Sequence, residues 1–423
     1  MDHQNHNFKD DIELDINLHL SRQSHPSSFL FRLSEELSLI GSKYDKYHNH
    51  LSCISANLIS LFLNRRGEYV YYSLDNNFYK EISRYNPLSI SVRKIRKVID
   101  LLIKNKFISN IKGRQNLKNK ELSYRSRMKP TDKFLKLIKK NYIKREHLSK
   151  IDLEVIRLKN FEKSLEDYID NNYTDEIRRD CQSYNSHLSR TKISLAKNKT
   201  VDEYLKTNSI NYKNKNYYRV FNQKLNLGGR FYGPWWLNIP SGLRKFITIN
   251  GNKTVEFDYS SLIIHQIYSE VGLNYFEENT YSDDPYLLRG VPNTERKINK
   301  AIIQIALNCK NFNNLNKELL SLYKDGKLKG RKPSKQEVEK SLDIFKEMNP
   351  KISKYIYSKC ALRFQFQDSE IARKIINRCS RYLIPVLSVH DSFIVEENNS
   401  NFIIDTMNSA VKETRLTSIP LIK

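Results

Sequence analysis

The chain has 423 residues, with 72 Lys and Arg against 47 Asp and Glu, a formal charge of +25, and 26 Tyr and 19 Phe interleaved among the basic side chains. That length supports two or three domains with cores of their own, and the charge together with the aromatics points to a nucleic acid partner, because cations attract phosphate and rings stack on bases. Cys53, Cys181, Cys309, Cys360 and Cys379 are odd in number, widely spaced and never in a C-x-x-C, a pattern that suggests neither a disulfide framework nor a zinc ribbon.

Residues 1–40 read as a loosely ordered lead-in. Met1 to Leu20 mixes His, Asp and Asn with isolated apolar residues and lacks a signal-peptide core, and no stretch approaches the roughly 20 apolar residues of a membrane span. The expectation is a soluble, cytoplasmic protein with no membrane partner. From Leu51 to Asn64, Leu51, Ile54, Leu58, Leu61 and Phe62 fall at helical spacing, with Gly67 as a stop. A second helix follows Pro87, with Ser91 as cap, Val92, Ile95, Val98, Ile99 and Leu102 on one face, and Arg93, Lys94, Arg96 and Lys97 on the others. Phe107 to Ile111 reads as a strand, Lys112 to Lys120 as a basic loop, and Leu122 to Met128 as a returning strand.

A helix followed by a basic hairpin describes a winged helix over 41–134. VRKIRKVIDLLIKNKFISNIKGR and SYRSRMKPTDKFLKLIKK resemble the winged-helix domains of plasmid replication initiators. In such a module Arg93, Lys94, Arg96 and Lys97 approach the major groove, while Lys112, Arg114, Lys118 and Lys120 of the wing lie along phosphates. A solvated small basic domain is the plainer reading. Residues 135–227 are charged and rich in helix formers, with Ile151, Leu153, Val155, Ile156 and Leu158 recurring, and predict a helical arm: a duplex-tracking hairpin or a spacer.

The chemistry lies in 228–423. GGRFYGPWWLNIPSGLRKFI breaks helix with glycines, prolines and two tryptophans, and predicts a packed loop. Thr254 to Asp258 reads as a strand ending in a carboxylate, followed by a buried helix after Ser260. A second apolar run, PVLSV, leads to Asp391, and between the two lies a basic helix with Arg296 and Lys300 four apart on one face. Two carboxylates facing cations is the arrangement that two-metal nucleotidyl transfer needs, with two Mg²⁺ ions about 4 Å apart and a triphosphate opposite.

The order of these motifs resembles family A DNA polymerases, the bacterial DNA polymerase I type. Gly229 and Arg230 come first, then Asn238, Ile239 and Pro240, then Arg244, then Asp258, Tyr259 and Ser260, then Arg296 and Lys300 in ERKINKAIIQIALNC, and last Val389, His390 and Asp391. The resemblance covers roughly 170 residues. It implies an α+β protein in which a helical thumb-like arm precedes a right-hand palm, an antiparallel sheet with helices, and small fingers. It also implies that Asp258, Asp391 and the Tyr259 backbone hold two Mg²⁺ ions, with Mn²⁺ as an alternative. Arg296 and Lys300 would meet the triphosphate, with Gln304, Asn308 and Ile263 around the nucleotide. Arg230, His390, Gln365 and Gln367 would touch primer or template.

Three departures stand out. Ile263 replaces the family's Glu five residues after the first Asp, Gln304 and Asn308 stand where aromatics are usual, and Ser392 follows Asp391 in place of an acid. No exonuclease pattern lies upstream. The expectation is a DNA-directed DNA polymerase acting on primer–template DNA and nucleoside triphosphates, suited to replication in a plasmid, phage or other mobile element. A primase-like or RNA-synthesising polymerase, and a non-catalytic replication initiator or regulator, are the alternatives.

Overall fold

The computed structural model describes residues 11–64, 68–75, 79, 84–114, 123–151, 153–208, 210–326, 328 and 331–423. The protein is α+β, with several sheets, and divides into two units, Met1–Glu154 and Val155–Lys423. Among the described residues no helix is long and apolar enough to cross a membrane.

The first unit runs β1 (Ile12–Glu13), β2 (Leu18–Leu20), α1 (Ser24–Glu36), α2 (Ser42–Asn64), β3 (Val70–Tyr72), α3 (Val92–Lys104), β4 (Ile108–Ile111), β5 (Ser126–Pro130), α4 (Asp132–Lys140) and β6 (Leu148–Lys150). A four-stranded sheet has the order β1-β3-β5-β4, and β2 pairs with β6. The segment expected to be loosely ordered is built into the core from residue 11 on, because Phe29, Leu30 and Leu33 of α1 are buried with α2. Helix α3 has the expected faces: Val92, Ile95, Val98, Ile99 and Leu102 are buried, and Arg93, Arg96 and Lys97 are exposed. Ser91 precedes this helix but makes no side-chain cap bond; its backbone N–H donates instead to His50 Nε2 at 3.1 Å. Strands β4 and β5 pair antiparallel as expected, with a further bridge between Arg114 and Tyr124. Lys112 and Arg114 are exposed, whereas Gly67, Lys118, Lys120 and Leu122 lie outside the described residues.

The second unit begins with β7 (Ile156–Lys159), β8 (Leu165–Glu166), α5 (Asn172–Arg190), β9 (Ile193–Leu195), α6 (Lys199–Thr207), β10 (Tyr218–Asn222) and β11 (Lys224–Tyr232). A single helical arm over 135–227 is therefore overturned. Ile156 and Leu158 are buried at alternate positions of a strand, a period of two rather than of a helix, while only α5 and α6 in this stretch of the unit are helical. Then come α7 (Ser241–Arg244), β12 (Ile247–Ile249), β13 (Asn252–Asp258), α8 (Leu262–Glu270), α9 (Tyr275–Glu278), α10 (Arg296–Ala306), α11 (Phe312–Lys324), α12 (Lys335–Met348), α13 (Ala361–Arg381), β14 (Leu387–Val389), β15 (Ser392–Glu396) and α14 (Ser400–Glu413).

Two sheets form, in the orders β11-β10-β7-β8 and β14-β15-β13-β12-β9; every pairing in the second is antiparallel. One apolar core joins both sheets with α5, α13 and α14, and a second joins α8 to α12. The Gly-Pro-Trp segment is the packed loop that its composition predicts: Trp235 and Trp236 are buried, and Trp236 Nε1 donates to the Tyr217 hydroxyl at 2.8 Å.

Candidate active site

Asp258 is the last residue of β13, and Asp391 occupies the two-residue turn between β14 and β15 rather than the end of a strand. Pairing of β13 with β15 places Asp258 opposite Ser392, the residue after Asp391, so strand register brings the two carboxylates together. The turn is tight: His390 has φ 60°, the positive value that two-residue hairpin loops require of their first central residue. On its other side the Asp258 backbone exchanges two 2.9 Å hydrogen bonds with Lys423.

Asp258 is exposed at the end of its strand, yet protein packs around the other sides of its carboxyl. That loss of water, and then the charge of Asp391, push its carboxyl up to about 7, with Lys300 pulling the other way. The cation comes from α10. Its Ile298, Asn299, Ile302, Ile303 and Ala306 are buried, which leaves Arg296, Lys300 and Gln304, each four apart, on the opposite face.

A cavity of about 160 Å³ unites most of these groups. Its wall includes Arg230, Tyr259, Ile263, Lys300, Gln304, Gln365 and Asp391, all residues that the sequence singles out. Arg230 forms an ion pair with Asp368, another wall residue, which burial and Asp391 push up to about 6 in spite of its partner. Tyr259 is buried, its hydroxyl donating to the Met407 carbonyl at 2.6 Å, while its backbone N–H points to the Asp391 carbonyl at 3.5 Å.

Other expected residues lie elsewhere. Arg296 does not line the cavity; its guanidinium is held by Asp284. Asn308 is exposed beyond the end of α10, because that helix closes at Ala306, and Gln367 is a half-buried residue of α13 away from the wall. His390 sits beside Asp391, its ring edge-on to Tyr232 at 5.5 Å. Burial, then the Arg230 charge, lower it to about 4, so it is neutral at pH 7, and its Nδ1 is buried without a hydrogen-bond partner.

The structure adds groups that sequence reading missed. Glu256, two residues before Asp258 on the same strand face, accepts 2.8 and 3.0 Å hydrogen bonds from Arg244 and one of 2.7 Å from Ser392. An acid therefore stands close to Ser392 after all, supplied by the neighbouring strand. Tyr286 is fully buried, its ring 5.7 Å from both the Arg296 guanidinium and the Lys300 ammonium. The alternation of β13 offered a signal for Glu256; Tyr286 lies outside any helix or strand and offered none.

Among the described residues no group of three or more His, Cys, Asp or Glu side chains could hold a metal. Two carboxylates suit Mg²⁺ nonetheless, since that ion is usually held by one or two carboxylates and fills its remaining positions with water and phosphate oxygens. The donor chemistry is of the right kind: oxygen only, with Asp258 and Asp391 repelling each other in a way that a cation relieves. No protein-family model and no curated protein sequence matches the chain.

Proposed function

We propose that the second unit catalyses metal-dependent nucleotidyl transfer, as a DNA-directed DNA polymerase of the family A kind, and that the first unit is a winged-helix module that binds duplex DNA. The observation that carries this reading is the approach of Asp258 to Asp391 and Lys300, whose charges both act on its carboxyl, at the edge of a cavity that Asp391 and Lys300 line with Arg230 and Gln365.

Asp258 and Asp391 would hold the Mg²⁺ ions, whose chemistry when bound is to lower the pKa of a primer 3′-hydroxyl and to stabilise the departing pyrophosphate. Lys300 balances triphosphate charge at the cavity wall. Arg296 joins it by exchanging Asp284 for phosphate oxygens, an exchange that a dianionic or more highly charged group favours. His390, neutral and with a nitrogen lacking a partner, offers a hydrogen bond beside the reacting end without adding charge. In the first unit, the exposed Arg93, Arg96 and Lys97 on α3, with Lys112 and Arg114 on the hairpin, supply a sequence-independent attraction to phosphate.

An RNA-synthesising enzyme is the second reading. Ile263 on the cavity wall favours it, because an apolar side chain stands where the family carries a carboxylate against the sugar. Incubation with a primed DNA template, Mg²⁺ and either dNTPs or rNTPs tests both. Extension with dNTPs is expected; extension with rNTPs alone selects the second reading, and no extension with either contradicts catalysis.

A further inference from the structure

The sheet β11-β10-β7-β8 has two unlike faces. Ile156, Leu158, Phe221 and Phe231 are buried on the face that packs against α5 and α13, together with Arg219, which is 1% exposed and bonded to the Gly229 carbonyl, Ser369 and Glu370. Alternate positions belong to the other face, where Arg157, Lys159, Tyr218 and Arg230 are half-buried and Tyr232 is 37% exposed. Register assembles them: Tyr218 lies opposite Tyr232, Val220 opposite both Arg230 and Arg157, and Asn222 opposite Lys159.

The rings form a row. The Arg157 guanidinium lies 3.4 Å over the Tyr218 ring, Tyr218 stacks on Tyr232 at 6.4 Å with 25° between planes, and Tyr232 meets His390 at 5.5 Å. His390 is the neighbour of Asp391, so the row crosses the sheet and ends at the turn carrying a cleft carboxylate. These positions carry three cations, Arg157, Lys159 and Arg230; Arg230 is paired with Asp368 from α13, and the Arg157 guanidinium lies on the Tyr218 ring.

We propose that this face binds an unpaired nucleic acid strand, with a base stacking on the exposed Tyr232, which Tyr218 backs, and phosphates meeting Lys159, and leads that strand to the Asp391 turn. Cationic and aromatic groups on one sheet face suit a strand whose bases are splayed, because every base offers a π face and every linkage a negative charge. A duplex offers that face only phosphates and sugars, since its base faces are occupied by each other. The inference concerns binding and stands apart from catalysis in the cleft.

The test uses the full chain without nucleotides or Mg²⁺, with fluorescence anisotropy on a labelled oligothymidine and on a blunt DNA duplex. The Tyr218→Ala, Tyr232→Ala double variant weakens oligothymidine binding roughly tenfold or more, changes duplex binding less than about twofold, and recovers when both positions carry Phe. Tyr382→Ala, an exposed tyrosine on another part of the unit, leaves oligothymidine binding unchanged. Equal weakening of both probes, no weakening, failure of the Phe variant to recover, or the same loss in the Tyr382 variant would overturn the proposal. Because no outcome depends on extension, silence in the primed-template assay refutes the polymerase reading and leaves this one standing.

Discussion

At the scale of single residues, Asp258 is where structure and chemistry are most tightly linked. Its carboxyl titrates at about 7 because water is displaced around it and Asp391 repels its charge, so proton and cation compete for the same oxygens. Above that value the site is ready for a cation; below it a proton must leave first. Catalysis in a Mg²⁺ titration is therefore expected to need rising Mg²⁺ as pH falls below 7, with the half-saturating concentration climbing toward tenfold per pH unit at the limit. A half-saturating concentration that stays flat from pH 8 to pH 6 would show that Asp258 is not the group Mg²⁺ engages. Both aspartates were legible in the sequence because each follows an apolar run. Asp284, Tyr286 and Asp368 were not, since their importance comes from partners 12, 10 and 138 residues away: Arg296, Arg296 again, and Arg230.

At the scale of elements, β11 shows how backbone conformation places a side chain. Gly229 has φ 76°, and a Cβ there would lie 2.8 Å from Ser369 Oγ and 2.9 Å from Phe221 Cε1, so only glycine lets the strand pass over α13 and then present Arg230 to the cleft. Gly229→Ala is expected to lower unfolding free energy by roughly 1–3 kcal/mol, seen as an earlier transition in thermal denaturation. An unchanged midpoint would mean that the strand relaxes freely at this point. The helices α3 and α10 were legible because their apolar residues recur at helical spacing. The strands of residues 135–227 were not. β7 has four residues, β8 two and β9 three, too few for alternation to stand out in Lys- and Glu-rich sequence, and what fixes them is pairing with strands far along the chain, as in β9 with β12.

At the scale of the molecule, the two units divide the chain near residue 154, and each has its own core. Length and composition anticipated a multi-domain, basic protein, and the motif resemblance an α+β one; the point of division was hidden because no Gly- or Pro-rich linker marks it. In the second unit, buried Arg219 ties β10 to α13 through Glu370, and Arg373 on α13 reaches Asp180 and Glu176 on α5. Burial alone would raise the Glu370 carboxyl, but Arg219 and Arg373 outweigh it and hold it below the usual range. This network fixes α13, the helix that carries Gln365 and Asp368 to the cleft, to the sheet that carries Arg230. The whole arrangement converges on two carboxylates, and the most direct measurement is primer extension by the Asp391→Asn protein beside the unaltered chain, with anisotropy of the same primed DNA as a control. Extension is expected to fall by at least about a hundredfold, the scale lost with a principal electrostatic group of a site, while DNA binding is retained; an Asp391→Asn protein that extends primers at the normal rate would show that Asp391 holds no metal.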